Sequence, residues 1–297
     1  MITPPYLKKD DTIGIVAPAR WIEQNKYNSI IQFIEQNGYK VLRGESTYKQ
    51  YGPFAGDDSL RLNDMQQMID NNNISAILCL RGGYGTIRII DNLNFENLKT
   101  HPKWIIGFSD ITILHNALSN INIKSIHGQM PINFIENKNS AESLFKILKG
   151  EKIHYNIKAD NLNKKGTIKG ILTGGNIAIL CSLLGTDFDT EWKGKILFIE
   201  EVGEYLYRLD RLMYQLKLSG KLKDIAGLII GGLSSMKDNS PTFGQTAKEI
   251  IYNVIKEYNY PVCFNFSAGH IPNNQPLIMG EEIQLNIDNK VSSIQYI

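Results

Sequence analysis

The chain has 297 residues, enough for two domains and a sizeable core. Lys+Arg 32 against Asp+Glu 30 leaves a formal charge of +2, with 42% hydrophobic and 21% charged residues. That balance describes a soluble globular chain and gives no charge-driven reason to expect a nucleic-acid or membrane partner.

The start, Met1 to Asp11, carries Lys8 and Lys9 but no apolar segment, and no run reaches about 18 apolar residues. Neither a signal peptide nor a membrane span is read, and the expected location is the cytoplasm. Cys79, Cys181 and Cys263 each lie in an apolar stretch, an odd count that suits buried thiols rather than a disulfide framework. No Cys or His pair has metal-ligand spacing, so no metal is expected.

In chain order, Thr12 to Pro18 reads as a buried strand ending in a turn, and Ile22 to Gln36 as an amphipathic helix stopped by Asn37-Gly38. Tyr39 to Leu42 is a second strand. A loop with Gly52, Pro53 and Gly56 leads to Asp57, the expected N-cap of a helix through about Asp70, and Ile74 to Leu80 is a third strand. The stretch Lys103 to Asn116 is a short buried strand followed by a helix whose face carries Ile111, Leu114 and Leu118, and Ile121 to Ile126 is a fifth strand. Alternating strands and helices predict a doubly wound parallel-sheet domain, with ligands at the carboxyl ends of the strands.

Three such ends are rich in chemistry: Arg81-Gly82-Gly83-Tyr84-Gly85, Gly107-Phe108-Ser109-Asp110 and His127-Gly128-Gln129-Met130-Pro131. The Gly-Gly pair suits a tight turn or exposed N–H groups for an anion, without the spacing of a dinucleotide or phosphate loop. Domain boundaries are expected at 1–140 and 166–297, with 141–165 as the connection. The second domain reads as mixed α/β. Thr167 to Thr173 is a strand, a helix starts from Gly174-Gly175-Asn176, and Lys195 to Ile199 is a strand delivering Glu200 and Glu201. Helices at about Leu206 to Ser219 and Gln245 to Tyr258 flank a strand at Ile225 to Ile230. Val262 to Phe266 is extended, and the tail alternates like antiparallel strands.

Ser109, at a strand-to-helix junction, has two readings: an N-cap, with Asp110 suiting the helix dipole, or a nucleophile beside the free N–H groups of the helix start. A nucleophile needs a base and an orienter. Of five histidines, His101 and His154 sit among polar residues, and His115 lies too far along the helix to face its start. His127 and His270 remain, the latter in a loop between Gly269 and Pro272. Glu200 and Glu201 are either an exposed pair or a source of one orienting carboxylate, because strand alternation sends them to opposite faces. Arg208, Asp210, Arg211 and Lys217 read as a solvated helix face.

Together these motifs resemble the LD-carboxypeptidase (muramoyltetrapeptide carboxypeptidase) family of serine peptidases. The resemblance spans nearly the whole chain through Ala17-Pro18, Ala55-Gly56-Asp57, Arg81 to Gly85, Gly107 to Thr112, His127-Gly128, Gly174 to Asn176, Phe198 to Glu204 and Gly269-His270. It implies a triad of Ser109, Glu200 and His270, Glu200 being the first acid of its pair, and an N-terminal domain with the elbow joined to a C-terminal domain with Glu and His across a substrate cleft. It also implies a homodimer and a reaction that needs no metal or cofactor. Gln129, where proline is expected, and Ala19-Arg20, where small polar residues are expected, depart from the family pattern at pocket-lining positions.

The implied reaction cleaves the amide between an L-centre and a terminal D-amino acid, typically L-lysyl or diaminopimelyl to D-alanine in a murein tetrapeptide. The backbone N–H of Asp110, with one from Gly82 or Gly83, is assigned to the oxyanion hole, and Arg81, Arg20 and Arg88 are candidates to read the terminal carboxylate. Rival readings are a same-family hydrolase of peptidyl-nucleotide (microcin-type) toxins and a non-catalytic two-domain ligand-binding protein. A general α/β-hydrolase is opposed by Ile111, where that fold's elbow has glycine, and cysteine amidotransferase chemistry by the lack of a cysteine at the elbow.

Overall fold

Short apolar runs become buried strands in the computed structural model, which describes all 297 residues. In chain order the first elements are β1 (Thr12–Val16), α1 (Tyr27–Gln36), β2 (Lys40–Arg43), α2 (Asp58–Asp70), β3 (Ile74–Cys79), α3 (Glu96–Thr100), β4 (Trp104–Gly107), α4 (Thr112–Asn120), β5 (Ser125–His127) and α5 (Lys138–Leu148). Then come β6 (His154–Lys158), β7 (Gly166–Asn176), α6 (Ile177–Leu183), β8 (Ile196–Val202), α7 (Leu206–Leu218) and β9 (Gly227–Ser234). The chain ends with α8 (Ala247–Ile255), β10 (Val262–Cys263), β11 (Leu277–Met279), β12 (Glu282–Ile287) and β13 (Val291–Tyr296). Two units result: Met1–Lys152 with Pro272–Gly280, and Ile153–Ile271 with Glu281–Ile297.

The first unit is built on one six-stranded sheet in the order β11-β5-β4-β3-β1-β2, parallel except for β11. Ala76 to Cys79 and Trp104 to Ile106 are wholly buried, which is why β3 and β4 read as unbroken apolar runs rather than alternating ones. Asp57 caps α2 as expected, its carboxylate accepting from the Leu60 N–H at 2.8 Å. The strand order reverses direction between β1 and β3, the switch point where ligands of such sheets bind.

The second unit holds a seven-stranded sheet, β10-β9-β8-β7-β12-β13-β6. Its strand β7 serves both halves: Gly166 to Ile171 pair antiparallel with β12, and Leu172 to Asn176 pair parallel with β8. On one side Ile199, Leu228 and Ile230 meet Leu209, Met213, Ile250 and Val254 from the helices, with Trp192 beside them. Each such side chain contributes about 1.5–3 kcal/mol by leaving water.

Several boundaries differ from the sequence reading. The helix expected from Ile22 starts at Tyr27, because Glu23 is extended and residues 24–26 form a 3-10 turn. The fifth strand begins at Ser125, since Asn122 turns with φ of +61°. No helix starts at Gly174: at φ of +122° it lies so close to the Phe198 carbonyl that a Cβ would sit 1.9 Å from its oxygen, and pairing with β8 keeps the chain extended through Asn176.

The stretch 141–165, read as the connection with a short helix at Ala141 to Leu148, divides between the two units. Ala141, Leu144, Phe145 and Leu148 bury one face of α5 in the first unit, β6 pairs with β13 in the second, and the units divide at Lys152/Ile153. Nor does 166–297 stay in one unit: Leu277-Ile278-Met279 supplies β11, an apolar antiparallel partner for β5 at the edge of the first sheet.

Candidate active site

In the first unit, β4 hands the chain through Phe108 to Ser109, which opens the 3-10 turn Ser109–Ile111 leading into α4. Ser109 has φ of +65°, a left-handed conformation that costs a non-glycine residue about 1–2 kcal/mol. Such strain at a strand-to-helix junction is the geometry that a nucleophile elbow uses.

Two buried groups hold this turn. The Asp110 carboxylate accepts from the Thr86 N–H at 2.9 Å, latching the elbow to the end of the Arg81 to Gly85 loop. Burial raises the Asp110 pKa, against the hydrogen bonds from Thr86 and the charge of Arg61. His115 reaches back from α4, with Nε2 2.9 Å from the Gly107 carbonyl and Nδ1 2.8 Å from Ser125 Oγ. Helical side chains lean toward the N-terminus, so a histidine that is too far along the helix to act on substrate still braces the strand end. Burial lowers its pKa to about 4, so it works as a neutral ring.

Of the Gly pair, Gly82 is the one against the serine. A Cβ there would lie 3.1 Å from Ser109 Cβ and 3.3 Å from its Oγ, whereas a Cβ on Gly83 would meet the stem of Arg20. His127 is wholly buried beside Phe108 and His115, at ring distances of 5.8 and 6.2 Å. His101 and His154 are exposed, as expected. All three cysteines are free and buried, and burial lifts their thiol pKa values, to about 12 for Cys181 and Cys263.

In the second unit, β8 carries Glu200 and Glu201 just before its last residue, Val202, and the loop after β10 carries His270. Neither acid is exposed. His270 Nδ1 lies 2.7 Å from Glu200 Oε2, and the His270 backbone N–H donates to the same oxygen at 3.2 Å. A carboxylate facing Nδ1 requires the proton there, leaving Nε2 as the basic nitrogen. Burial alone would depress the imidazole pKa, but the hydrogen bond and charge of Glu200, with the charge of Glu201 behind, outweigh it and raise the pKa above 6.5.

Gly269 makes this approach possible: at φ of +101°, any Cβ there would sit 2.6 Å from Glu200 Oε2. Ser234 Oγ donates to the His270 carbonyl at 2.7 Å and fixes the loop to the end of β9.

The two acids do not go to opposite surroundings. The β8–β9 register shifts between Ile199 and Glu201, and both carboxylates converge on Asn176, whose Nδ2 donates to Glu200 Oε1 at 3.2 Å and Glu201 Oε1 at 3.0 Å. Glu201 also accepts from the N–H groups of Ala178 and Val202, and burial raises its pKa against these donors. Asn176 was legible only as a helix start, which it also is, its Oδ1 accepting from Ile179 N–H at 3.2 Å.

One unit with a mostly parallel sheet and a left-handed serine at a strand-to-helix turn, and one with a mixed sheet and an imidazole held by a buried glutamate, make up a two-domain α/β protein. The chain belongs to the LD-carboxypeptidase family: residues 13–128 match the family model of the LD-carboxypeptidase N-terminal domain, and residues 169–285 that of the C-terminal domain.

It is 32% identical to the probable murein peptide carboxypeptidase of Bacillus subtilis (strain 168), over 98% of this chain and 94% of that one. It is 25% identical to the microcin C7 self-immunity protein of Escherichia coli, over 96% of this chain and 93% of that one. The crystal structure of muramoyltetrapeptide carboxypeptidase from Oxalobacter formigenes superposes with a TM-score of 0.88 at 24% identity, covering 96% of this chain and 98% of that one, and so shares the fold. No helix is long and apolar enough to cross a membrane.

Proposed function

We propose that this protein is a serine LD-carboxypeptidase that releases the terminal D-alanine from murein tetrapeptides in peptidoglycan recycling, with Ser109, Glu200 and His270 as its triad. The observation that carries the reading is the 2.7 Å contact of His270 Nδ1 with the wholly buried Glu200, in a chain whose family is a carboxypeptidase family. The greater identity to the murein peptide relative than to the self-immunity relative favours murein peptide over peptidyl-nucleotide toxin.

In this mechanism Ser109 Oγ attacks the carbonyl carbon of the L-centre while His270 Nε2 takes its proton. The backbone N–H of Asp110, with one from the Gly82-Gly83 turn, stabilises the oxyanion, and Gly82, which adjoins Ser109, is the preferred partner. As the C–N bond breaks, His270 passes the proton to the departing amine of D-alanine. Water then attacks the acyl-serine with His270 as base and restores Ser109. Glu200 keeps the ring in the required tautomer. A cytoplasmic location and a homodimeric state belong to the same proposal, and light scattering at twice the chain mass is the expected result for the latter.

The test is incubation with a tetrapeptide ending L-Lys-D-Ala or diaminopimelyl-D-Ala, alongside an aminoacyl-sulfamoyl adenylate, with chromatographic detection of released D-alanine. Release should fall by about 10,000-fold or more in Ser109→Ala and His270→Ala. A phosphonylating probe should label wild type and not Ser109→Ala. Absence of both release and label would leave the ligand-binding reading, and cleavage of the adenylate alone the toxin reading.

A further inference from the structure

Four arginines surround the loop that follows β3, and they are not equivalent. The buried Arg61 donates to the Pro18 carbonyl and, at 2.9 Å, to the Gly85 carbonyl, and pairs with Asp58. Arg88 is held by both Asp58 oxygens, at 2.9, 2.9 and 2.6 Å. Both are committed to the fold.

Arg81 donates one N–H to the Trp21 carbonyl at 3.1 Å and meets no carboxylate, and Arg20 is exposed with no carboxylate partner. The stem of Arg20 runs along Gly83: a Cβ on that glycine would lie 2.6 Å from Arg20 Cδ and 3.2 Å from its Nε. Gly82, the next residue, adjoins Ser109. Only the Gly82-Gly83 backbone therefore separates the Arg20 stem from the nucleophile. Burial lowers the Arg81 pKa and the charge of Arg20 lowers it further, so the two cations lie within each other's field. They follow β1 and β3, the pair of strands that flank the switch point of the sheet.

We propose that Arg20 and Arg81 form a carboxylate-reading subsite beside Ser109, which takes the terminal carboxylate of the peptide whose amide the serine attacks. The inference rests on the peptidase reading above and adds to it the group that restricts the enzyme to chain ends. In a carboxypeptidase substrate the terminal carboxylate lies one residue, about 4 Å, beyond the scissile carbonyl. A planar guanidinium meets a carboxylate through two parallel N–H donors. Arg81, anchored on Trp21, supplies a fixed charge, and Arg20, on an exposed stem, closes on the ligand.

The experiment compares a tetrapeptide with its C-terminal amide. Binding is measured by calorimetry in the Ser109→Ala background, where no turnover is needed, and D-alanine or D-alaninamide release is measured with Ser109 present. The acid should bind at least about 10-fold more tightly than the amide. Arg20→Met and Arg81→Gln should each remove most of that preference while leaving amide binding within about twofold, and Arg20→Lys should restore part of it.

Equal binding of acid and amide, or a preference that survives both substitutions in folded protein, overturns the subsite even if D-alanine is released. An acid preference lost in Arg20→Met without any D-alanine release keeps the subsite and overturns the peptidase reading. Failure of the tetrapeptide to bind at all overturns both.

Discussion

Glu200→Gln changes one atom of a carboxylate whose two oxygens are both engaged. Oε2 accepts from the His270 backbone N–H at 3.2 Å and faces Nδ1 at 2.7 Å, and Oε1 accepts from Asn176 Nδ2 at 3.2 Å. Glutamine has one oxygen. With that oxygen toward His270, its NH2 confronts the Asn176 NH2, and two donors face each other in a site of zero exposure. With the amide reversed, the NH2 confronts the His270 N–H and forces the imidazole proton to Nε2, where the ring can no longer accept from serine. Either way a charge-assisted hydrogen bond worth about 1.5–3 kcal/mol is lost. A reversed tautomer alone costs on the order of 10,000-fold in a serine-protease triad. The expected fall in kcat is therefore roughly 10- to 10,000-fold.

The pH dependence carries a second signature of the same change. The folded pKa of His270 is raised above 6.5, so wild-type kcat/KM should rise with a midpoint above that pH as the imidazole loses its proton. The interaction with Glu200 stabilises the fold fully below the unfolded histidine value of about 6.5, and that contribution is lost as pH rises through the higher folded value. Glu200→Gln removes the charge and leaves burial to dominate, so its midpoint should move down. D-Alanine release across pH 5 to about 9, with the imidazole titration followed by NMR, checks both. An unchanged acidic limb in a folded Glu200→Gln protein would refute the assignment of Glu200 as the orienter.

Gly82→Ala places a methyl 3.1 Å from Ser109 Cβ and 3.3 Å from Oγ and should lower kcat by about 10- to 100-fold with little change in KM, in steady-state assays of D-alanine release. Gly83→Ala, whose nearest obstacle is the Arg20 stem, should raise KM more than it lowers kcat, apart from the strain of alanine at φ of +111°. His115→Ala leaves Ser125 Oγ and the Gly107 carbonyl each short of one partner and opens a cavity, at a combined cost of about 2–4 kcal/mol. The thermal midpoint should drop by several degrees at every pH above about 5, because the ring with its pKa near 4 is already neutral there.

The parallel half of the fold was legible because burial on both faces writes a plain signal. Ala76 to Cys79 and Trp104 to Ile106 are apolar without alternation, and the segments before β3 carry Gly38 and Asp57 where a helix stops or starts. Long-range demands were not legible. Nothing local to Leu277-Ile278-Met279 says that it adds to the sheet of the first unit, since an apolar triplet fits any edge; there it pairs antiparallel with β5, Leu277 opposite His127 and Met279 opposite Ser125. Gly174 misled for the same reason. Gly174-Gly175-Asn176 reads as a helix start, which Asn176 supplies as the N-cap of α6, while the Phe198 backbone against Gly174 shows why the strand continues through it.

At the site, sequence alone singled out the proposed triad residues but not the groups that support them. Ser109 lies just beyond β4, Glu200 near the end of β8 and His270 in the loop after β10, where composition changes abruptly, whereas Asn176, Ser234 and His115 act through side chains that reach across sequence separations of 24, 36 and 8 residues. The alternation rule failed at Glu200-Glu201 because it assumes an unbroken ladder, and the register shift there turns both acids onto Asn176. Positive φ sets the backbone at two of the proposed triad residues: Ser109 by its own φ of +65°, and His270 by the φ of +101° at the preceding Gly269. Such local costs, about 1–2 kcal/mol for the serine, persist only where surrounding bonds fix the chain. The supports found only in the structure, Asp110 to Thr86 and His115 to Gly107 at the elbow, and Ser234 to the His270 carbonyl at the histidine, lie where that fixing is required.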